Sequence, residues 1–149
     1  MKKTLSLYFF ILSATNIYSQ SNYIEYHKDA RLIESHILDS SYLKAVKLYK
    51  DLFSKYDFVF AEDCFRAAQT AAFINDSVNS FLFLERAIHQ GVTKESIVHD
   101  SILIDLKKMK DWSMFENNYD SIRDEYLATI EWDLRQKICT NRNLNVIIN

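Results

Sequence analysis

The sequence predicts an all-α protein built from antiparallel helical hairpins. Its 149 residues include one glycine and no proline, whereas sheet proteins need both residue types to turn hairpins and form bulges. Apolar residues recur at alternating steps of three and four, the spacing that places side chains on one face of a helix. Short polar breaks interrupt the pattern at regular intervals, which argues against a continuous coiled coil.

The N-terminal residues have the pattern of a secretory signal peptide. Lys2 and Lys3 form a positive start, an apolar run follows from Leu5 to Ala14, and small polar residues lead to a cleavage site between Ser19 and Gln20. An apolar run of this length is too short to span a bilayer. We therefore expect a periplasmic or secreted protein with no stable membrane insertion once the signal peptide is removed.

Four helices are predicted before the single glycine. Polar residues at Asp39–Ser41 and at Asn75–Asp76 break the helical pattern, and Gly91 is free to adopt the left-handed conformation that ends a helix. Short polar breaks between helices of this length favour antiparallel hairpins. The four apolar stripes are Tyr23, Tyr26, Ala30, Ile33 and Ile37; Tyr42, Ala45, Tyr49, Leu52 and Tyr56; Phe60, Cys64, Ala67, Ala71 and Ile74; and Phe81, Leu84, Ala87 and Ile88.

The pattern changes after Gly91. The stretch from Thr93 to Lys110 predicts one or two short helices. Apolar residues then advance by three or four from Trp112 to Ile138, which predicts a long C-terminal capping helix packed on the hairpins. The apolar triplet Val146–Ile148 is prone to aggregate if exposed, so either it packs into the bundle or it belongs to a segment that continues in longer relatives.

The sequence predicts a single helical domain over residues 20–139, between a signal peptide of residues 1–19 and a tail of residues 140–149 whose order is left open. Cys64 and Cys139 are an even number of cysteines, which could form one disulfide bond in an oxidising compartment. Because Cys64 lies among small apolar residues, we expect a buried side chain there. Whether the two cysteines are bridged stays open.

Composition and motifs predict a protein that is not an enzyme and that holds no cofactor or metal. The net charge of −2 and the lack of a basic run argue against nucleic-acid binding, which needs Lys and Arg to neutralise phosphates. A single glycine excludes a glycine-rich phosphate loop. The four histidines lie far apart without metal-ligand spacing, and the adjacent carboxylates Glu62 and Asp63 point about 100° apart on a helix and should face solvent.

An internal repeat relates two parts of the chain. The helical stretch that begins at Tyr42 recurs 35 positions later at Ser77. An alanine-rich helix with Ala67, Ala68 and Ala71 lies between the two stretches, and its small side chains permit close approach of neighbouring helices. A fixed period of this size indicates a repeat architecture.

Residues 26–90 resemble the tetratricopeptide repeat (TPR) family, whose units are pairs of helices of about 34 residues. On this resemblance Ala45 and Tyr49 match the second helix of one unit. Ala68 and Ala87 match small residues in the first and second helix of the next unit. These four are the predicted repeat-packing residues.

The chain also departs from the family pattern. Ser80 stands at the position that matches Ala45, Cys64 stands where the family has a tryptophan, and the proline that usually ends the second helix is missing. The segment from Asp100 to Trp112 resembles the capping segment that ends short TPR arrays in exported bacterial proteins.

The resemblance implies a binding site on the third predicted helix. In the TPR family the first helix of each unit lines a concave groove that binds peptides or proteins. If Cys64 and Ala68 pack inward, then Phe65, Gln69 and Phe73 face this groove and suit capture of a peptide or helix. The alternative is that the three side chains pack under the N-terminal helix.

Two functional hypotheses follow from the sequence. The first is an exported, non-enzymatic helical-repeat module that binds a protein or peptide partner. The second is a truncated or assembly-dependent structural fragment that folds fully only as an oligomer or with a partner. The small number of repeat units and the apolar tail favour the second hypothesis.

Overall fold

A computed structural model describes residues 22–130, and these form six α-helices without a strand, which confirms the all-α prediction. The predicted signal peptide, Cys139 and the tail of residues 140–149 lie outside the described residues. None of the helices in the described part of the chain is long and apolar enough to cross a membrane. The elements are α1 (22–38), α2 (Tyr42–Lys55), α3 (Ala61–Phe73), α4 (Ser77–His89), α5 (Lys94–His99), a 3-10 turn (Leu106–Lys108) and α6 (Trp112–Ala128).

The hairpins α1–α2 and α3–α4 close with the same turn. Ser40 and Asn75 hold positive φ angles of 58° and 61° at equivalent positions, 35 residues apart. In both turns the next amide N–H donates to the carbonyl oxygen five residues earlier, the bond that defines a Schellman motif. The two bonds join Ser41 to His36 at 2.8 Å and Asp76 to Ala71 at 2.9 Å. The repeat of the sequence is therefore also a repeat of backbone geometry.

Gly91 ends α4 with the same motif, as predicted. Its φ is 107°, and the amide of Val92 donates to the carbonyl oxygen of Ala87 at 2.9 Å. A Cβ atom at this position would lie 2.7 Å from the phenol oxygen of Tyr126. Glycine is thus required both by the backbone angle and by the close approach of α6.

The first layer of the bundle contains α1, α3 and the segment 94–108. Arg66 of α3 forms an ion pair with Glu34 of α1 at 2.5 Å. On the other side of α3, the amide of Gln69 donates to Asp100 at 2.6 Å. Helix α3 therefore lies in the middle of this layer, with a neighbour on each side.

The second layer contains α2, α4 and α6, and aromatic rings join its members. Phe53 of α2 and Phe83 of α4 meet edge to face with ring centroids 5.3 Å apart. Phe81 of α4 packs on Phe115 of α6 at 5.6 Å. Such pairs add about 0.5–1.5 kcal/mol beyond the burial of their area. Because α4 contacts both α2 and α6 through these rings, it is the central helix of this layer.

The hydrophobic core lies between the two layers and combines small with large side chains. Burial of each large apolar side chain contributes about 1.5–3 kcal/mol. At Ser80, where the TPR pattern has a small apolar residue, the buried hydroxyl donates to the carbonyl oxygen of Ala68 at 3.2 Å. The four predicted repeat-packing residues are all buried in this core: Ala45, Tyr49, Ala68 and Ala87.

Helix α6 ends earlier than the sequence predicted. The apolar spacing suggested a helix to Ile138, but α6 ends at Ala128. The hydroxyl of Thr129 donates to the carbonyl oxygen of Tyr126 at 2.7 Å, a local side-chain bond that competes with continued helix. The positions from 131 to 138 lie outside the described residues.

Candidate functional site

Four exposed or partly exposed residues lie on the side of α3 that faces away from the core. Glu62, Arg66, Gln69 and Phe73 follow one another at steps of four, three and four, which places them on one side of the helix. The opposite side of α3 is fully buried at Cys64, Ala67, Ala68 and Ala71. We refer to the row from Glu62 to Phe73 as the inner face.

The structure places the three predicted binding residues in different environments. Phe73 is 61% exposed, with its ring against that of Tyr42 at 4.7 Å. Gln69 lies on the inner face, but its amide is engaged by Asp100. Phe65 is half-buried and packs against the core. Phe73 is therefore the residue of the three that offers an open apolar surface.

A cleft of about 340 Å³ separates α1 from α3 beside the inner face. Arg66 sits at its edge and bonds both Glu34, at 2.5 Å, and Glu62, at 2.7 Å. Arg31 lines the same cleft, and no ion pair to it occurs within residues 22–130. The cleft is lined by His27, Ala30, Arg31, Glu34, Phe60, Glu62, Asp63 and Arg66.

The carboxylate of Asp63 does not face solvent freely, contrary to the sequence-based expectation. It is half-buried and accepts a hydrogen bond from the phenol of Tyr26, whose oxygen also accepts the amide N–H of Phe60 at 3.3 Å. Burial, together with the bond to Asp63, raises the pKa of Tyr26 well above its usual range. The phenol therefore stays protonated and acts as a fixed donor between α1 and α3.

Aromatic rings close the end of the α1–α3 cleft. The ring of Phe60 stacks on His27 at 5.7 Å and meets Phe58 and Tyr23 edge to face, at 5.3 and 6.5 Å. The Nε2 atom of His27 is buried and has no hydrogen-bond partner in the described part of the chain. This histidine is thus part of an aromatic cluster rather than a solvated helical residue.

Cys64 is poorly suited to act as a nucleophile. The side chain forms no disulfide within residues 22–130 and is fully buried, and desolvation raises the pKa of its thiol to about 12. The thiolate is the reactive form of cysteine, and it is scarcely populated at such a pKa. Over residues 22–130, no group of three or more His, Cys, Asp or Glu side chains converges on a common point.

Four exposed apolar residues lie at the end of the bundle where both hairpins turn. Leu38 and Phe73 end α1 and α3, while Leu43 and Val78 lie near the starts of α2 and α4. Each pair is related by the 35-residue repeat, and Leu38, Leu43 and Val78 are 84%, 78% and 77% exposed. We call these four residues the turn-end patch; the inner face meets it at Phe73.

A larger groove, of about 800 Å³, runs between α2 and α4 on the second layer. Phe53 and Phe83 form its floor, and the guanidinium of Arg86 lies 4.9 Å above the ring of Phe53. Leu82 adds an exposed apolar wall. We call it the outer groove. It is lined by Lys50, Phe53, Ser54, Leu82, Phe83, Glu85, Arg86, His89 and Gln90.

Comparison of the chain with known protein families, with curated proteins and with solved structures found no match. The fold and its surfaces define a helical bundle that is compatible with a helical-repeat fold. The arguments about function below rest on the geometry of the chain itself.

Proposed function

We propose that this chain is an exported, non-enzymatic helical-repeat module of TPR-like type that binds a protein or peptide partner. The partner binds along the inner face, with Phe73 as its apolar anchor. The observation that carries the proposal is the open ring of Phe73 at the end of the polar row formed by Glu62, Arg66 and Gln69. An aromatic anchor beside polar groups is typical of protein-binding surfaces.

The TPR-like assignment is supported by the equivalence of the two hairpins. Their turns at Ser40 and Asn75 share backbone geometry, and the second helices start 35 residues apart, at Tyr42 and Ser77. Side chains at the family's small-residue positions, such as Ala68, are buried between helices. Stacked helix pairs of this kind present extended concave surfaces to partners.

The non-enzymatic assignment is supported by the state of Cys64. A buried thiol with a pKa raised to about 12 lacks the ionised form that nucleophilic catalysis needs. Export is supported by the order of charged, apolar and small polar residues before Gln20. N-terminal sequencing of protein recovered from the periplasm or medium tests the cleavage between Ser19 and Gln20.

Co-purification from producing cells tests the proposed binding surface. A tagged chain is compared with Phe73→Ala and with the matched control Met114→Ala, which removes an exposed apolar side chain from α6. We expect one reproducible partner that is lost with Phe73→Ala and retained with Met114→Ala, at equal thermal stability. Retention of every recovered partner by Phe73→Ala contradicts the proposal.

The second candidate function is structural, an assembly-dependent subunit, and the turn-end patch favours it. Leu38, Leu43 and Val78 are large apolar side chains that the described residues leave exposed, and clusters of this kind mark interaction surfaces. Size-exclusion chromatography with light scattering separates the two functions. A binding module elutes as a monomer, whereas an assembly-dependent subunit elutes as an oligomer that Leu43→Asp dissociates.

A further inference from the structure

We propose that the outer groove between α2 and α4 is a second binding site, and that it takes an acidic amphipathic peptide segment. This site lies on the opposite layer from the inner face and does not depend on it. The inference rests on two features of the groove, its apolar floor and its surplus of positive charge.

The floor of the groove is preformed by two rings. Phe53 and Phe83 are almost fully buried and meet edge to face, so they are held in place by the core. Leu82 rises beside them as a large apolar side chain that is more than half exposed. A groove between two helices with an apolar floor is the geometry that receives the apolar face of an amphipathic helix.

The walls of the groove carry cations on both sides. Lys50 lies on the α2 wall and Arg86 on the α4 wall, and neither forms an ion pair with a carboxylate of residues 22–130. Among the described residues, Glu85 is the one carboxylate that lines the groove. His89 lies 3.8 Å from Glu125 of α6.

Positive charge also extends along α2 beyond the groove. Lys44 and Lys47 are exposed on the same helix, and no ion pair to either occurs in the described part of the chain. The chain as a whole is acidic, with a net charge of −2. A basic surface on an acidic protein selects an acidic partner by charge complementarity, which steers association and excludes basic competitors.

The chemistry of the floor and walls together defines the occupant. Leu or Phe side chains spaced by three or four residues would bury their surface mainly against Leu82, because Phe53 and Phe83 are only 7% and 2% exposed. Asp or Glu side chains on the flanks of the same helix would reach Lys50 and Arg86. A free inorganic anion would contact only the cationic side chains of the walls. An uncharged apolar helix would contact only the apolar side chains of the groove.

Fluorescence anisotropy with three synthetic peptides tests this site. The probe carries Leu at every third or fourth position and Glu elsewhere; one control replaces Glu with Lys, and the other replaces Leu with Ser. The titrations use protein expressed from the full chain. We expect saturable binding of the probe that weakens with salt, and binding weaker by about tenfold or more for each control peptide.

Variants locate the binding on the protein. Lys50→Glu reverses a charge on the wall, and Leu82→Ala removes the exposed apolar contact; both residues are exposed, so the fold should tolerate the changes. Lys28→Glu is the matched control, since it makes the same charge change at an exposed lysine of α1, in the other layer. We expect Lys50→Glu and Leu82→Ala each to raise the Kd by about tenfold, and Lys28→Glu to leave it nearly unchanged.

Three results overturn the proposal. The first is failure of the probe to bind saturably at concentrations of up to about 1 mM, or equal binding of the Lys peptide. The second is a Kd that Lys50→Glu and Leu82→Ala leave unchanged. The third is a change of oligomeric state caused by Leu82→Glu, which would show that a second copy of the chain occupies the groove. Phe73→Ala should leave the Kd of the probe peptide unchanged, so the proposals for this site and for the inner face can be refuted independently.

Discussion

The phenol of Tyr26 in α1 donates a hydrogen bond to the carboxylate of Asp63 in α3, 37 positions further along the chain. The same phenol oxygen accepts the amide N–H of Phe60, just before α3 begins. One side chain thus joins the two helices that form the inner face and satisfies a backbone donor near the helix start. This contact holds α1 and α3 at the spacing that the cleft between them requires.

Tyr26→Phe should lower the free energy of unfolding by about 1–3 kcal/mol, because the half-buried carboxylate of Asp63 loses its donor. Urea denaturation measures the change. Tyr23→Phe is the control, since Tyr23 lies on the same helix with its ring more than half exposed. Equal stability of the two variants would show that the bond to Asp63 contributes nothing to folding.

Ala68→Leu should destabilise the protein by about 1–3 kcal/mol or more, because the added atoms have no space between α3 and α4. Ala68 is fully buried, and its carbonyl oxygen accepts the hydroxyl of Ser80 from the facing helix. Ala128→Leu, on the exposed last turn of α6, is the control and should change the melting temperature little. An Ala68→Leu variant as stable as the parent would refute close packing of α3 on α4.

Gly91→Ala should destabilise the protein by roughly 1 kcal/mol or more, because a φ of 107° is strained for any residue with a Cβ atom. Part of the cost comes from the Tyr126 ring, which lies within 3 Å of the added atom. In a Tyr126→Ala background the cost of Gly91→Ala should therefore shrink but persist. Gln90→Ala, at a φ of −97°, is the control, and a cost that vanishes with Tyr126→Ala would contradict the strain argument.

Cys64 should react with iodoacetamide only when the protein unfolds. In a Cys139→Ser variant at a pH of about 8.5, an unfolded thiol is about half ionised, whereas burial holds the pKa of folded Cys64 at about 12. We expect no modification of the native protein over hours and rapid modification in urea, followed by mass spectrometry. Rapid labelling of the native protein would show that the α3–α4 core opens readily.

Local signals made much of the fold predictable. The breaks at Asn75 and Gly91 were visible in the sequence because both residue types adopt positive φ, and the structure places both there. The 35-residue offset was read from helical spacing that starts at Tyr42 and Ser77, and these residues begin α2 and α4. Such signals depend on neighbours in sequence, so one chain suffices to read them.

Contacts between distant segments were not predictable in the same way. Phe65 was expected either to face the groove together with Phe73 or to pack under the N-terminal helix; it is half-buried and packs against the core. Helix α3 has neighbours on both sides, and the segment after α5 reaches it, as the bond from Gln69 to Asp100 shows. Spacing on one helix identifies a face, but it does not reveal which second element covers that face.

The outer groove escaped the sequence analysis for a related reason. Lys50 and Arg86 lie on different helices, and nothing in their local spacing indicates that both line one groove over Phe53. From the sequence alone, a lysine on a helix is expected to be an ordinary solvated residue, because the helix packed beside it is not known. The one signal available was the excess of lysine over acidic residues within α2.

Site-specific photocrosslinking in producing cells tests the central claim most directly. A photoreactive amino acid replaces Phe73 on the inner face or, as the control, Met114 on α6. Partner binding along the inner face predicts a discrete adduct to a different protein at position 73 and none at position 114. The absence of an adduct at position 73, or an adduct composed of two copies of this chain, would contradict the proposal.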